Sequence, residues 1–420
     1  MKKHLLYFFF FAMAFSSCKK ESTEPIIGDV DERLSEVLAS YQDQLISAEF
    51  GWKGYLLTDN ETPATFLFKF NDKNRTVMAA DYKPTEVESS YRLKALQRPT
   101  LMFDSYSTLH LIADPTSSVF GGETANGYFS DFEFAFLSAS ADTIKLEGTF
   151  NKSKLILIKS KSAEESDAVF ASLQEVGNTL SKLKTYFKRS TIGGIECEIK
   201  LDGLAQILAF SYLEGEVLKT VKSNYYVSGK NIALYEPLVI GSATVSELKD
   251  INFVTNTGII NAVINDDPVQ IKEAIEPMSY DKSAVERFWR DGRQLSFTPW
   301  VKDGISDYLN DASITAGTGL NQRVAWFGYG DGFDLIGYAA SFQLRFGVAI
   351  SSNIDKTTGL IKYEYYGALG TLPPAYRNII LQTGLDFTDP KGLYVIETGI
   401  NKYDLVSATD ARKWLSFEPL

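Results

Sequence analysis

SDFEFAFLSASADTIKLEG, residues 130–148, places Phe132, Phe134 and Phe136 at every second position, and the same period returns at Ile144 and Leu146 after a polar break. A period of two sets like residues on one face of a strand, so this is a half-buried strand, a turn and a second strand. TFLFKF, residues 65–70, carries the same signal in Phe66, Phe68 and Phe70. Much further on, KDINFVTNTGIINAVI (249–264) has the same plan of an acidic alternating strand, a polar turn and another strand, at low identity. Antiparallel sheet is therefore the main expectation.

Helical periodicity interrupts the strands at two places. In DERLSEVLASYQDQLISA (31–48), Leu34, Val37, Leu38, Tyr41, Leu45 and Ile46 fall on one helix face, with Asp29 or Asp31 able to cap its first N–H groups. In SAEESDAVFASLQEVGNTLSKLKTYF (162–187), Ser162 and Glu165 form a capping box, and Val169, Phe170, Leu173, Val176, Leu180 and Leu183 make the stripe. After each helix the alternating strands resume, which divides the chain into helix-plus-antiparallel-sheet units at 31–162 and 163–276. Their common order suggests duplication. From Pro277 the texture changes to a short helix or irregular link, then turn-rich sequence. SFQLRFGVAIS follows, with Phe342, Leu344, Phe346, Val348 and Ile350 pointing inward. Residues 277–420 read as a β-sandwich-like C-terminal domain. The fold class is α+β, mostly β.

MKKHLLYFFFFAMAFSSCKK, residues 1–20, has the parts of a secretory signal: Lys2 and Lys3, an apolar run from Leu5 to Phe15, and Ser16 and Ser17 before Cys18. Its apolar core covers roughly 16 Å at about 1.5 Å per residue, about half of a bilayer's hydrocarbon thickness. A cysteine at the cleavage position resembles the bacterial lipobox, although Phe15 stands where leucine is usual. The expectation is a signal peptide at 1–17, lipidation of Cys18 and a polar tether at 18–30. Lipid chains hold a protein to a membrane at about 0.8 kcal/mol per buried CH₂ without a spanning helix.

The other cysteine, Cys197, lies in GIECEIKL, where Ile195, Cys197, Ile199 and Leu201 alternate with Glu196, Glu198 and Lys200. It reads as a buried core thiol with no disulfide partner. Loss of Lys2 and Lys3 takes the net charge from −11 to −13, so nucleic acid is not an expected partner. The basic cluster Lys182, Lys184, Lys188 and Arg189 is expected in the last turns of the second helix, where cations complement the dipole.

Chemistry-bearing residues are sparse. Beyond the signal segment the only histidine is His110, in STLHLIADP, expected on a strand with Leu109 and Leu111 on the opposite face. That leaves no base for a serine or cysteine nucleophile and no ligand spacing for zinc. Asp131 and Glu133 share the polar face of one expected strand and could serve as a carboxylate pair, but such alternation ordinarily marks a solvated face. FGYGDGFD lacks both the dinucleotide fingerprint and the P-loop lysine. Within WFGYGDGFD, Trp326, Tyr329 and Asp331 are candidates for a sugar or peptide platform, the alternative being rings that plug the end of a sandwich. No catalytic residue, metal ligand or cofactor is expected.

DERLSEVLASYQDQLISAEFGWKGYLL, SSYRLKALQRPTLMFDSYSTLHLIADP and GYFSDFEFAFLSASADTIKLEGTFNKSKLILIK together resemble a family of Bacteroidetes lipoproteins known as domain of unknown function 4302. The resemblance covers roughly residues 18 to 190. It implies an outer-membrane lipoprotein, often encoded beside uptake systems of the SusC and SusD type and a zinc metallohydrolase lipoprotein, and it supplies no catalytic residues. What carries over is the anchor at Cys18. The expected function is thus a non-catalytic binding or accessory subunit of a SusC/SusD-like nutrient-uptake system, held in the cell envelope at the outer membrane, with a glycan or peptide ligand. A hydrolase working through carboxylates alone is the other reading. Lys19 and Lys20 are not the acidic signal expected for surface display, so the leaflet stays open.

Overall fold

The computed structural model describes residues 30–320, 322–341 and 343–419, with side chains from residue 32. The signal segment, Cys18, the tether, the capping side chains Asp29 and Asp31, and the inward Phe342 lie outside the described residues and side chains. Strand accounts for about 51% of the described residues and helix for about 18%. The described residues divide into two compact units, one made of those up to 60 with 66–162, the other of 61–65 with those from 163 onward.

After the helix Val30–Ile46 come eight strands: β1 (Trp52–Leu57), β2 (Pro63–Phe70), β3 (Arg75–Ala80), β4 (Lys83–Ala95), β5 (Pro99–Phe103), β6 (Glu133–Ala139), β7 (Thr143–Gly148) and β8 (Lys154–Lys159). Each pairs with the next, and β1 pairs with β8, so the sheet closes on itself. Phe66, Phe68 and Phe134 are fully buried, as the alternation requires, and their rings fill the closed interior. Gly54 makes room for them, because a Cβ there would lie 2.5 Å from the Phe68 ring. The helix is fastened to this sheet. Tyr41 stacks on Phe136 at 3.9 Å between ring centroids, and Trp52 Nε1–H donates to the Leu45 carbonyl at 2.8 Å.

His110 falls in the short helix Thr108–Ile112 and not on a strand. Leu109 and Ile112, three apart, are the buried pair. That spacing fits one helical turn, which an apolar run this short does not separate from a strand.

The second unit opens with the helices Ala163–Asp167 and Val169–Leu180. Eight strands follow: β9 (Phe187–Ile192), β10 (Ile195–Asp202), β11 (Ile207–Glu214), β12 (Val217–Ser228), β13 (Asn231–Ile240), β14 (Ala243–Val254), β15 (Ile259–Ile264) and β16 (Asp267–Ala274). They form a second closed sheet, completed by β16 against β9. Cys197, Ile199, Leu208, Phe210 and Ile260 fill it, with Val176 and Leu183 packed among them. The helix stops at Leu180, earlier than its apolar stripe suggests. The main-chain N–H groups of Lys184 and Thr185 go instead to the Glu273 carboxylate, at 2.5 and 2.9 Å, and β9 begins two residues later. The expected helix-terminal basic cluster is therefore split: Lys182 and Lys184 lie past the helix end, and Lys188 and Arg189 belong to β9.

The C-terminal region is one ten-stranded antiparallel sheet: β17 (Arg293–Ser296), β18 (Val301–Lys302), β19 (Ile305–Ser306), β20 (Gln322–Gly330), β21 (Phe333–Ala340), β22 (Gln343–Asp355), β23 (Leu360–Leu369), β24 (Leu393–Gly399), β25 (Lys402–Ser407) and β26 (Lys413–Pro419). Strand β17 pairs with both β20 and β26, so this single sheet curls back on itself around one core. Phe288, from the helix Ala284–Arg290, meets Phe327, Tyr403 and Phe417 at 5.4 to 5.5 Å. Phe346, Val348 and Ile350 point into the same core.

Candidate functional site

The outer face of GIECEIKL supplies the start of a cleft. With Cys197 and Ile199 turned inward on β10, Glu198 and Lys200 must face outward. Register carries this polar row across the sheet, since Glu198 stands opposite Ser211 on β11 and Ser211 opposite Thr220 on β12. The Ser211 and Thr220 hydroxyls are 2.8 Å apart. Two other segments complete the walls: the connection Met278–Asp281, and the end of β24 with its turn, from Ile396 to Ile400. The space enclosed is about 590 Å³, within the range of small-molecule sites.

Tyrosines and carboxylates alternate around this space. Tyr186 donates to the Asp404 carboxylate at 2.6 Å and meets Trp414 edge-on at 5.6 Å. Tyr280 lies edge-on to Tyr394 at 5.4 Å, and burial pushes its hydroxyl up to about 12. The Lys200 ammonium is 5.7 Å from the centre of the Tyr186 ring. Glu198 accepts the Met278 N–H at 3.0 Å and lies 3.6 Å from Arg189 Nε. Burial nevertheless outweighs those contacts and raises the Glu198 pKa above the ordinary carboxylate value. Asp281 and Glu397 both bind the Arg287 guanidinium, Asp281 at 2.7 Å. Hydrogen bonds from Ser283 and Arg287 hold Asp281 below the usual range.

The residues singled out from the sequence lie elsewhere. Trp326 and Tyr329 meet edge-on at 5.0 Å on β20, but the Arg293 guanidinium sits 3.7 Å above the Trp326 ring. Leu295, Val324 and Ala339 pack against that ring too. Tyr329 is 37% exposed, Asp331 is exposed in the turn before β21, and Phe327 is in the core. The glycine-rich turn thus brings two rings together, and the face of the larger one is already covered.

Asp131 and Glu133 do not share a polar strand face. Asp131 precedes β6 and is only 4% exposed, because it accepts bonds from the N–H groups of Phe150, Asn151 and Ser153 and from the Ser153 hydroxyl. It ties down the turn between β7 and β8. His110 Nδ1 lies 3.1 Å from Ser107 Oγ, and the ring stacks on Phe132 at 4.9 Å. Ser107 is buried at the start of that helix, so this pair is a local tie. Cys197 is buried, and burial raises its thiol to about 11, far from a reactive thiolate. Among the described residues, no group of three or more His, Cys, Asp or Glu is placed to hold a metal ion, and no helix is long and apolar enough to cross a membrane.

The cleft escaped sequence reasoning because its walls come from three distant segments. The signal present in the sequence is the polar side of GIECEIKL, where Glu198 and Lys200 alternate with the buried Cys197 and Ile199.

Among protein families, the model described as Domain of unknown function (DUF4302) matches residues 29–252. That span contains Glu198, Lys200, Ser211 and Thr220 and ends before the segments that complete the cleft. No curated protein matches the chain. Among solved structures, an octameric penicillin-binding protein homologue from Pyrococcus abyssi is similar at 15% identity over 33% of this chain, with a TM-score of 0.15. The chain spans 33% of that protein's length. The β subunit of DNA polymerase III from Thermotoga maritima aligns over 91% of this chain and 97% of its own, at 7% identity and a TM-score of 0.15. A sliding clamp from Bartonella birtlesii aligns over 93% of this chain and 97% of its own, at 9% identity and a TM-score of 0.14. Superpositions this loose carry no argument about fold or function.

Proposed function

We propose, for a chain that belongs to the DUF4302 family, the role of a lipid-anchored, non-catalytic binding or accessory subunit of the cell envelope that takes a short glycan or peptide in the cleft beside β10. The observation that carries this reading is the condition of the cleft's carboxylates. Glycoside hydrolysis needs two carboxyl groups, one to protonate the leaving group and one to act as base or nucleophile. Here Asp281 and Glu397 are both tied to Arg287, and Glu198 is tied to the Met278 N–H. Fixed carboxylates beside the Tyr186 and Tyr280 rings, with Lys200 and two hydroxyls, suit holding a polar ligand in one orientation. The anchor rests on the sequence around Cys18. Outer-membrane placement and a SusC/SusD-like uptake partner rest on the family resemblance, with the leaflet open.

One observation favours a hydrolase: the raised pKa of Glu198 is what a general acid needs. A panel of glycans and peptides, assayed for binding and turnover with the full-length protein, separates the two readings. Binding without turnover is expected, weakened about tenfold or more by Tyr280→Ala and by a smaller factor by Glu198→Gln. Turnover that Glu198→Gln abolishes would establish the hydrolase. Mass spectrometry of membrane-fraction protein is expected to find Cys18 acylated at a new N-terminus; an unmodified Cys18 removes the anchor.

A further inference from the structure

A second, smaller cavity of about 250 Å³ opens at the end of the second closed sheet. Ile192 on β9 is in the interior of that sheet, so Lys188, four residues earlier on the same strand, shares its inward face. The cavity walls are Leu180, Leu183, Leu201, Ile271 and Trp414 among others, and Lys188 is the one charged side chain lining it. A lysine turned toward the mouth of a closed, apolar sheet is a costly placement unless something there uses it.

The Lys188 ammonium has three N–H donors. It donates one to the Thr185 carbonyl at 2.6 Å and, more weakly, one to the Tyr186 carbonyl at 3.4 Å. One N–H remains for the cavity. Glu273 stands directly opposite on β16 and supports the charge across the strand pair, but its oxygens are engaged elsewhere, one by the N–H groups of Lys184 and Thr185 and the other 3.5 Å from Arg412. We infer that this cavity is a binding site for a small monocarboxylate with an apolar body, its carboxylate taken by Lys188 and its hydrocarbon by Leu180, Leu183, Leu201 and Ile271. A single cation with one spare donor matches a monoanion, and a phosphate would leave most of its oxygens against hydrocarbon.

Binding of this kind is coupled to protons. Burial lowers the Lys188 amine to about 8, with Glu273 and Glu198 holding it up and Lys200 pushing it down. An anion in the cavity favours the charged amine, so affinity holds at pH 7 and falls above about pH 8 as the free protein loses the proton.

The test is calorimetry on the full-length protein with 3-phenylpropionate and with its neutral amide. One-to-one binding of the acid is expected at pH 7, at least tenfold tighter than the amide, with proton uptake appearing at pH 8.5. Lys188→Met is expected to lower affinity at least tenfold. Leu201→Trp, which fills the space and leaves the amine, is expected to abolish binding, and it decides the matter if Lys188→Met does not fold. Equal affinity for acid and amide, binding unchanged in either folded variant, or no binding at millimolar concentration overturns the proposal.

Discussion

Four donors converge on the buried Asp131 carboxylate, three of them main-chain N–H groups of a single turn. Asp131→Ala leaves those donors without an acceptor, at an expected cost of about 2–4 kcal/mol in urea unfolding, where bonds to a charged group are among the stronger ones. A solvated strand carboxylate would change stability by less than about 0.5 kcal/mol. His110 gives a pH-dependent counterpart. Burial lowers its folded pKa below 6.5, so the unfolded chain takes up a proton first as the medium acidifies. Its contribution is fully present above about pH 6.5 and is lost as pH falls through the lowered folded value. His110→Gln is expected to flatten that part of the stability profile. Both residues were visible in the sequence as chemistry. Their settings were not, because Asp131 lies just ahead of its strand and is buried by a turn about twenty residues further on, and a five-residue helix leaves too little periodicity to declare itself.

Alternation in TFLFKF, DFEFAF and GIECEIKL was sufficient to assign β2, β6 and β10, and Phe66, Phe68, Phe134, Phe136, Cys197 and Ile199 are buried as it requires; Phe132, just ahead of β6, is 42% exposed, and Leu67 on the other face of β2 is buried too. Pairing partners at long range were not legible. Nothing local in WKGYLL says that β1 meets β8 about a hundred residues later. Gly54 in β1 is where that meeting is most constrained. Gly54→Ala drives a methyl group into the Phe68 ring and is expected to cost about 1–3 kcal/mol by overpacking. Adding Phe68→Leu should recover part of the loss, so a double-mutant cycle by thermal melting is expected to show coupling above about 0.5 kcal/mol. Additive effects would place the strain elsewhere. The early end of the helix at Leu180 teaches the same lesson from the other side: Glu273, far along the chain, takes the N–H groups that would follow.

Within residues 163–420 the second closed sheet and the C-terminal sheet share a small apolar cluster of Phe187, Val406 and Ala411, beside the bond from Tyr186 to Asp404. Tyr186→Phe removes the donor from a carboxylate that is 8% exposed, a loss of about 1–3 kcal/mol. Because the bond joins two sheets of one compact unit, calorimetry is expected to show the transition of that unit moving down as a whole; splitting into two transitions would mean the sheets melt independently. Closure also fixes where the chain comes and goes. Trp52 lies opposite Lys159, and Phe187 opposite Ala274, so the polypeptide enters each ring and leaves it at adjoining points. A ring with coincident gates can be spliced into a gene, or copied in tandem, without rerouting the flanking backbone.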